Sequence, residues 1–374
     1  MKIVLIKLGA KGDVLRTTSV LLGIKEHFRN PEVYWITQKE NIPIIVNNPL
    51  IDKVIACEDV NIEKIRAGRI DLVINLDEDR EACRIATALG ETIKGFYLDN
   101  NGDVKPTPSA KEYFDMSALG KAPLNDVLKK KNEKTYQQLI AEIIGISPRH
   151  SDIIMRLTEK QKQFAREFAR RYHIKEDDLV IGLNTGSGAQ WATKRWSIEN
   201  TAKLAERIHK ELKAKILLFG GPEETERNSK LIERARAPLL HVGCGNDLFE
   251  FPALISLCHM LVTSDTFGLH VALGLKRKVI VLMGSTSATE IEIYNLGKKL
   301  LPEKQCGCFY QKKCGQKVHG IDTIRVDTVF NEIKELRKLS FCVIVTAFKE
   351  PNIGKAIEAI GGQEMSLPYR VIVS

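Results

Sequence analysis

Several short segments carry the residue types that handle phosphate, sugar hydroxyls or protons. Gly9-Ala10-Lys11-Gly12-Asp13 follows an apolar run and opens a helical one. Its glycines permit a tight turn, and the free N–H groups of a helix start favour negative charge. The spacing is neither GxGxxG nor GxxxxGK, so dinucleotide or P-loop chemistry does not follow from it. Asp13 offers a carboxylate that could take a proton, although an acid in a first helical turn also serves as a cap or dipole partner.

Asn184-Thr185-Gly186-Ser187-Gly188, followed by Lys194-Arg195-Trp196, presents amides, hydroxyls and two cations suited to a diphosphate. A flexible Gly-Ser connection with solvated bases has the same composition. Phe219-Gly220-Gly221-Pro222-Glu223-Glu224 combines glycines that let a ligand approach with acids that could accept from ribose hydroxyls. It also reads as a helix start with proline in the first turn. Ser264-Asp265-Thr266-Phe267-Gly268-Leu269-His270 gathers an acid, a hydroxyl and an imidazole at one strand-to-helix turn, where Asp265 could equally be a cap.

Two further groups suggest metal. Cys306, Cys308, Cys314 and His319 could supply four ligands, but their spacing is not that of a common zinc site, and a reduced surface loop is the expected state. Asp77-Glu78-Asp79 has the D-x-D form of metal-using sugar transferases; three acids after a strand are frequent, and no metal role is assigned to them.

The elements that must position these loops alternate. Strand-like runs at 2–7, 33–36, 53–56, 71–75 and 93–96 are interleaved with helical stretches such as 80–89, and a second series places strands at 179–184, 215–219, 239–242, 260–263 and 278–283. Repeated βα units imply parallel sheets covered on both faces. The expectation is therefore α/β, with a Rossmann-like domain over 1–174, a second over 175–337, and a cleft between them at the carboxyl ends of the strands. Residues 97–130 read as an extended loop, 132–144 and 159–172 as helices. The second of these is basic and amphipathic, suited to packing on the domain or to lying on an anionic membrane. Residues 338–374 start a third series with strands at 341–346 and 369–373 around a helix at 352–360.

Composition narrows the partners. The chain has 374 residues, which at about 150 per domain gives two to three domains. A net charge of +9 favours an anionic partner, and without an Arg-rich tail or a nucleic-acid signature that partner reads as a phosphorylated small molecule or a membrane surface, not nucleic acid. No apolar run reaches the ~20 residues of a membrane span and no signal h-region is visible, so the expected location is the cytoplasm. Eight cysteines are too few for a disulfide framework.

Taken in order, the loops resemble glycosyltransferase family 9, the heptosyltransferases of lipopolysaccharide core assembly. The resemblance rests on residues 7–14, Gly186 with Lys194-Arg195-Trp196, Gly220-Gly221-Pro222-Glu223-Glu224, Ser264-Asp265-Thr266 with His270, and the cysteine segment, over about residues 1–337. It implies a GT-B architecture and metal-independent, inverting transfer from a nucleotide-sugar, ADP-heptose by family default, to a glycan or lipid-linked acceptor, with no cofactor. It makes Asp13 the catalytic base. Gly186, Ser187, Lys194, Gly220, Gly221, Glu224, Asp265, Thr266, Gly268 and His270 become donor-side residues, with Gly9, Lys11 and Gly12 beside the reacting groups. The chain departs from the family pattern at Phe267-Gly268 and at Gly284-Ser285-Thr286-Ser287-Ala288, which leaves the donor open. Residues 343–354 resemble the first strand and helix of a family 2 glycosyltransferase. A nucleotide-sugar epimerase and a non-catalytic nucleotide-binding module are the alternatives.

Overall fold

The computed structural model describes residues 1–338, except 91, 150, 189, 190, 305, 306 and 317, together with the backbone of two short strands beyond them. The first half builds a sheet from β1 (Lys2–Ile6), β2 (Glu32–Thr37), β3 (Lys53–Ala56), β4 (Leu72–Asn75), β5 (Ile93–Leu98) and β6 (Val104–Pro106), in the order β3-β2-β1-β4-β5-β6. All pairs are parallel except β5 with β6. The second half repeats the plan with β7 (Val180–Asn184), β8 (Lys215–Phe219), β9 (Leu239–His241), β10 (Met260–Ser264), β11 (Lys278–Leu282) and β12 (Gly297–Leu300), all parallel in the order β12-β11-β10-β7-β8-β9. In each sheet the winding reverses between the two central strands, β1 and β4 or β7 and β10, and ligand crevices form at such reversals.

The central strands read as unbroken apolar runs because helices cover both faces: Ile3 through Ile6 of β1 are fully buried, as are Leu72 through Asn75 of β4. The helix that follows β1, α1 (Lys11–Thr17), buries Val14 and Leu15. It packs on the helix Phe267–Gly274 of the second half, so a single apolar cluster runs through both halves, from Leu15 and Ile140 to Leu269 and Leu273. Between the halves the chain passes through Ile153 and Met155, both buried in that cluster. The basic helix Glu159–Arg171 spends its apolar stripe on the protein: Phe164 meets Phe249 edge-on at 6.1 Å, and Gln161 Nε2 donates to the Phe249 carbonyl at 3.0 Å.

The structure departs from the sequence expectation in the stretch after β5. Residues 97–130 are not an extended loop but hold β6, the helix Lys111–Asp115 and the helix Asn125–Lys131. The helix expected at 132–144 starts only at Tyr136, because Asn132 exchanges hydrogen bonds with the backbone of Lys134 and Thr135 forms a reciprocal cap with Gln138. β12 was not foreseen at all; Gly297-Lys298-Lys299-Leu300 has almost no apolar content, and an edge position requires little. In the tail, Phe341–Val345 and Tyr369–Val373 pair in parallel, and the helix expected at 352–360 lies outside the described residues.

Gly274 shows how tightly the halves are joined. A Cβ there would stand 2.9 Å from the Met155 Cβ and 3.1 Å from the Ile153 Cγ2. The first contact is with an atom fixed to the backbone. Gly274→Ala should thus lose about 1–3 kcal/mol to overpacking against a helix-propensity gain of about 1 kcal/mol. A lowered urea midpoint is the expected result.

Candidate active site

The loops after β1 and β4 face those after β7, β8, β10 and β11 across a cleft of about 1020 Å³. Of the residues singled out from the sequence, Lys11, Gly12, Asp13, Gly186, Ser187, Lys194, Gly220, Gly221, Glu224, Asp265, Thr266, Gly268 and His270 line it. Gly9 does not; its amide donates to Asp77 Oδ2 at 3.3 Å.

Asp13 lies in the first turn of α1 with its side chain about a third exposed. Its Oδ1 meets Arg16 Nη2 at 2.7 Å, and the Arg16 guanidinium is stacked 3.7 Å above the Tyr136 ring. Tyr136 is fixed in turn by a 2.6 Å hydrogen bond to the Thr17 hydroxyl. Burial by itself raises the Asp13 carboxyl, but Arg16, Lys7 and His270 outweigh it and hold the pKa below the ordinary aspartate range. The carboxylate is therefore ionised and aimed into the cleft, not sequestered as a helix cap.

Across from it stands a second acid. Asp265 Oδ2 receives Lys194 Nζ at 2.9 Å and the Thr286 hydroxyl at 2.9 Å, while Oδ1 is 3.9 Å from His270 Nε2. Lys194 also donates to the Asp265 carbonyl at 3.0 Å. Burial works against the Asp265 charge, yet Lys194 and His270 press its pKa well below the ordinary value. Asp265 is not the helix cap; Thr266 holds that position.

Two contacts bring these groups together. The His270 ring lies against Gly12, where a Cβ would come within 3.0 Å of His270 Cδ2. Likewise a Cβ on Gly268 would stand 2.7 Å from Asn184 Nδ2, which donates to Thr263 and Thr266 at 2.9 and 3.1 Å. Behind this layer Arg195 ties the glycine loops into one knot. Its Nε donates to Ser187 Oγ at 3.0 Å and its Nη2 to Glu224 Oε1 at 2.8 Å, while Glu224 Oε2 accepts from the Gly221 amide at 3.0 Å.

The described part of the cysteine segment does not assemble as a ligand set. Among the described residues no group of three or more His, Cys, Asp or Glu side chains gathers that could hold a metal. Cys306 lies outside the described residues, Cys314 is a free thiol, and Cys308 is disulfide-bonded, contrary to the reduced loop expected. In the D-x-D run, Asp77 accepts from the Leu8 amide at 3.0 Å and pairs with Lys7 at 3.4 Å, Asp77 and Glu78 both line the cleft, and Asp79 caps the helix Arg80–Leu89.

Residues 62–319 match the family model for glycosyltransferase family 9 (heptosyltransferase). The chain belongs to that family. This family 9 glycosyltransferase is 23% identical over 355 residues to lipopolysaccharide heptosyltransferase 1 of Campylobacter coli, covering 90% of this chain and 99% of that one. It is 22% identical over 337 residues to lipooligosaccharide heptosyltransferase 2 of Campylobacter jejuni, covering 87% and 96%. It shares its fold with a family 9 glycosyl transferase from Veillonella parvula, at a TM-score of 0.75 and 20% identity over 91% of this chain and 98% of that one. It also shares it with the ADP-heptose lps heptosyltransferase II of E. coli, at 0.64 and 17% over 90% and 98%. The two facing α/β halves are thus a GT-B fold, and the family 9 enzyme is a glycosyltransferase.

Several cleft residues escaped the sequence reading, namely Arg16, Lys129, Glu290 and Tyr310, while Glu78 was noted there only within an acid run to which no role was assigned. Arg16 alone had a local signal, because it follows Asp13 at the i,i+3 spacing of a helical ion pair.

His270 carries a pH signature. Burial, helped by the charge of Arg16, pushes its imidazole from 6.5 down to about 4. The folded protein keeps it neutral where the unfolded chain binds a proton, so this stability is complete above about pH 6.5 and lost as the pH falls toward about 4. His270→Gln should flatten the fall by on the order of 3 kcal/mol across that interval, read from urea titrations at each pH. An unaltered pH profile would show that His270 does not titrate there.

Proposed function

We propose that this chain transfers heptose from ADP-heptose to a sugar of a lipopolysaccharide or other lipid-linked acceptor, with inversion and without a metal, Asp13 acting as base. The observation that carries the reading is that one ionised carboxylate of the first half faces Lys194, Asp265 and His270 of the second across a single cleft. The names of the Campylobacter relatives and of the E. coli structure supply heptose as the sugar and ADP as the nucleotide.

The chemistry follows from these positions. A sugar hydroxyl is a poor nucleophile at neutral pH, and Asp13 removes its proton as the new bond forms. Arg16 orients the carboxylate and, by holding its pKa low, keeps it in the base form. The departing diphosphate gathers negative charge where Lys194 and the amides opening the helix Phe267–Gly274 meet it. Diphosphate competes with Asp265 for the Lys194 ammonium, and Asp265 then retains the Thr286 hydroxyl as a donor. Gly186, Ser187, Gly220 and Gly221 leave room for the nucleotide, and Glu224 Oε2 keeps a lone pair for a ribose hydroxyl beside the Gly221 amide. Base and leaving-group cradle belong to different halves, so closure of the halves on both substrates precedes transfer. The enzyme works at the cytoplasmic membrane face, where a lipid-linked acceptor is presented; no described helix is long and apolar enough to cross a membrane.

Asp13→Asn should lower the transfer rate by about 10²–10⁴-fold, while ADP still raises the melting temperature as in the unaltered enzyme. Transfer persisting at the original rate would remove Asp13 from the role. Addition of EDTA should leave the rate unchanged; a loss restored by a divalent cation would overturn the metal-free reading.

A further inference from the structure

Beyond Asp13 the cleft holds a polar cluster that the reaction above does not use. Glu290, on the loop after β11, is 8% exposed; its Oε2 accepts from the Tyr310 hydroxyl at 3.3 Å, and its Oε1 is buried without a hydrogen-bond partner. From the opposite half comes Glu78, after β4, with an Oε1 in the same condition. Lys129, on the helix Asn125–Lys131, lies over the Tyr310 ring at 3.7 Å and within electrostatic reach of both carboxylates, yet forms an ion pair with neither. All four side chains line the cleft.

Buried carboxylate oxygens without donors carry an uncompensated desolvation penalty unless something supplies hydrogen bonds. The neighbouring cations do not: Arg16 is engaged by Asp13 and Lys7 by Asp77. What remains is two acceptor groups and one ammonium donor on opposite walls. A ring bearing several hydroxyls fits that set, donating O–H to the carboxylates and accepting from Lys129. A carboxylated or phosphorylated ring does not, because it brings further negative charge to two acids sharing one cation. The position also separates the first-half members of this cluster from the donor groups. Glu78 and Lys129 belong to the first half, on the Asp13 side, whereas Ser187, Lys194 and Asp265 all belong to the second.

We propose that Glu78, Lys129, Glu290 and Tyr310 form the subsite for the acceptor sugar and select a neutral, polyhydroxylated ring over an acidic one. The word acceptor rests on the transferase reading above; the preference for a neutral polyol rests on the cluster alone. The test is calorimetry on the full chain in saturating ADP, with the methyl glycoside of a neutral heptose and that of a carboxylated 2-keto sugar acid as probes. The neutral glycoside should bind at least about tenfold more tightly, the scale of hydrogen bonds to charged groups. Glu290→Gln and Glu78→Gln, one from each half, should each weaken the neutral glycoside and reduce the discrimination, while the ADP affinity stays within about twofold. Tighter binding of the acidic glycoside, or unchanged affinities in both variants, would overturn the assignment. Failure of ADP to bind, with glycoside discrimination intact, would sink the donor reading and leave this subsite standing.

Discussion

The cleft depends on one close approach, that of the His270 ring to a residue with no side chain at position 12. It allows the start of α1 to meet the helix Phe267–Gly274, and this seats Asp13 opposite Asp265. Two acids this near each other in a poorly solvated site repel, so each requires its own cation; Arg16 and Lys194 provide them at 2.7 and 2.9 Å. The neutral His270 between them adds no charge to upset the balance. The stacking of Arg16 on Tyr136 and the Thr286 hydroxyl on Asp265 hold these pairs in place.

That balance explains how one arrangement can serve both halves of a transfer. Arg16 is fixed by its ring contact and keeps Asp13 ionised, so the carboxylate is charged before any ligand arrives. Lys194 is held by a carboxylate that has other partners in reserve. A competing diphosphate can therefore draw on its charge without stranding Asp265. The Arg195 knot beneath has a different character, since it ties Ser187, Gly188 and Glu224 into a scaffold for the glycine loops. It shapes the floor of the second-half side of the cleft and leaves Lys194 outside the knot.

Much of this was legible in the sequence because parallel strands buried on both faces are near-continuous apolar runs, and β1, β4, β7, β8, β10 and β11 all have that form. Strand-to-helix turns are where such folds bind ligands, so the loops carrying Asp13, Ser187, Lys194 and Asp265 could be found before any coordinates. Elements whose stability comes from neighbours were hidden. β12 carries two lysines in four residues, β6 contains a proline, and the helix Lys111–Asp115 is too short for a period to show. Lys129, Glu290 and Tyr310 were invisible for a related reason, and Glu78 was seen but given no role: the four are far apart in the chain, and only the packing of the two halves gathers them. The cysteine segment was misread in its redox state, because spacing in the sequence does not show whether a thiol meets another thiol, and Cys308 is disulfide-bonded.

The central claim is that the base and the leaving group occupy opposite walls of one crevice, the base in the first half and the leaving group in the second. A displacement in that geometry must approach the sugar from the face opposite the diphosphate. Proton NMR of the glycoside formed during the earliest turnovers reads the outcome directly. The account predicts that the new linkage has the anomeric configuration opposite to that of the donor. Retained configuration would place the attacking group on the same face as the departing diphosphate and would contradict it.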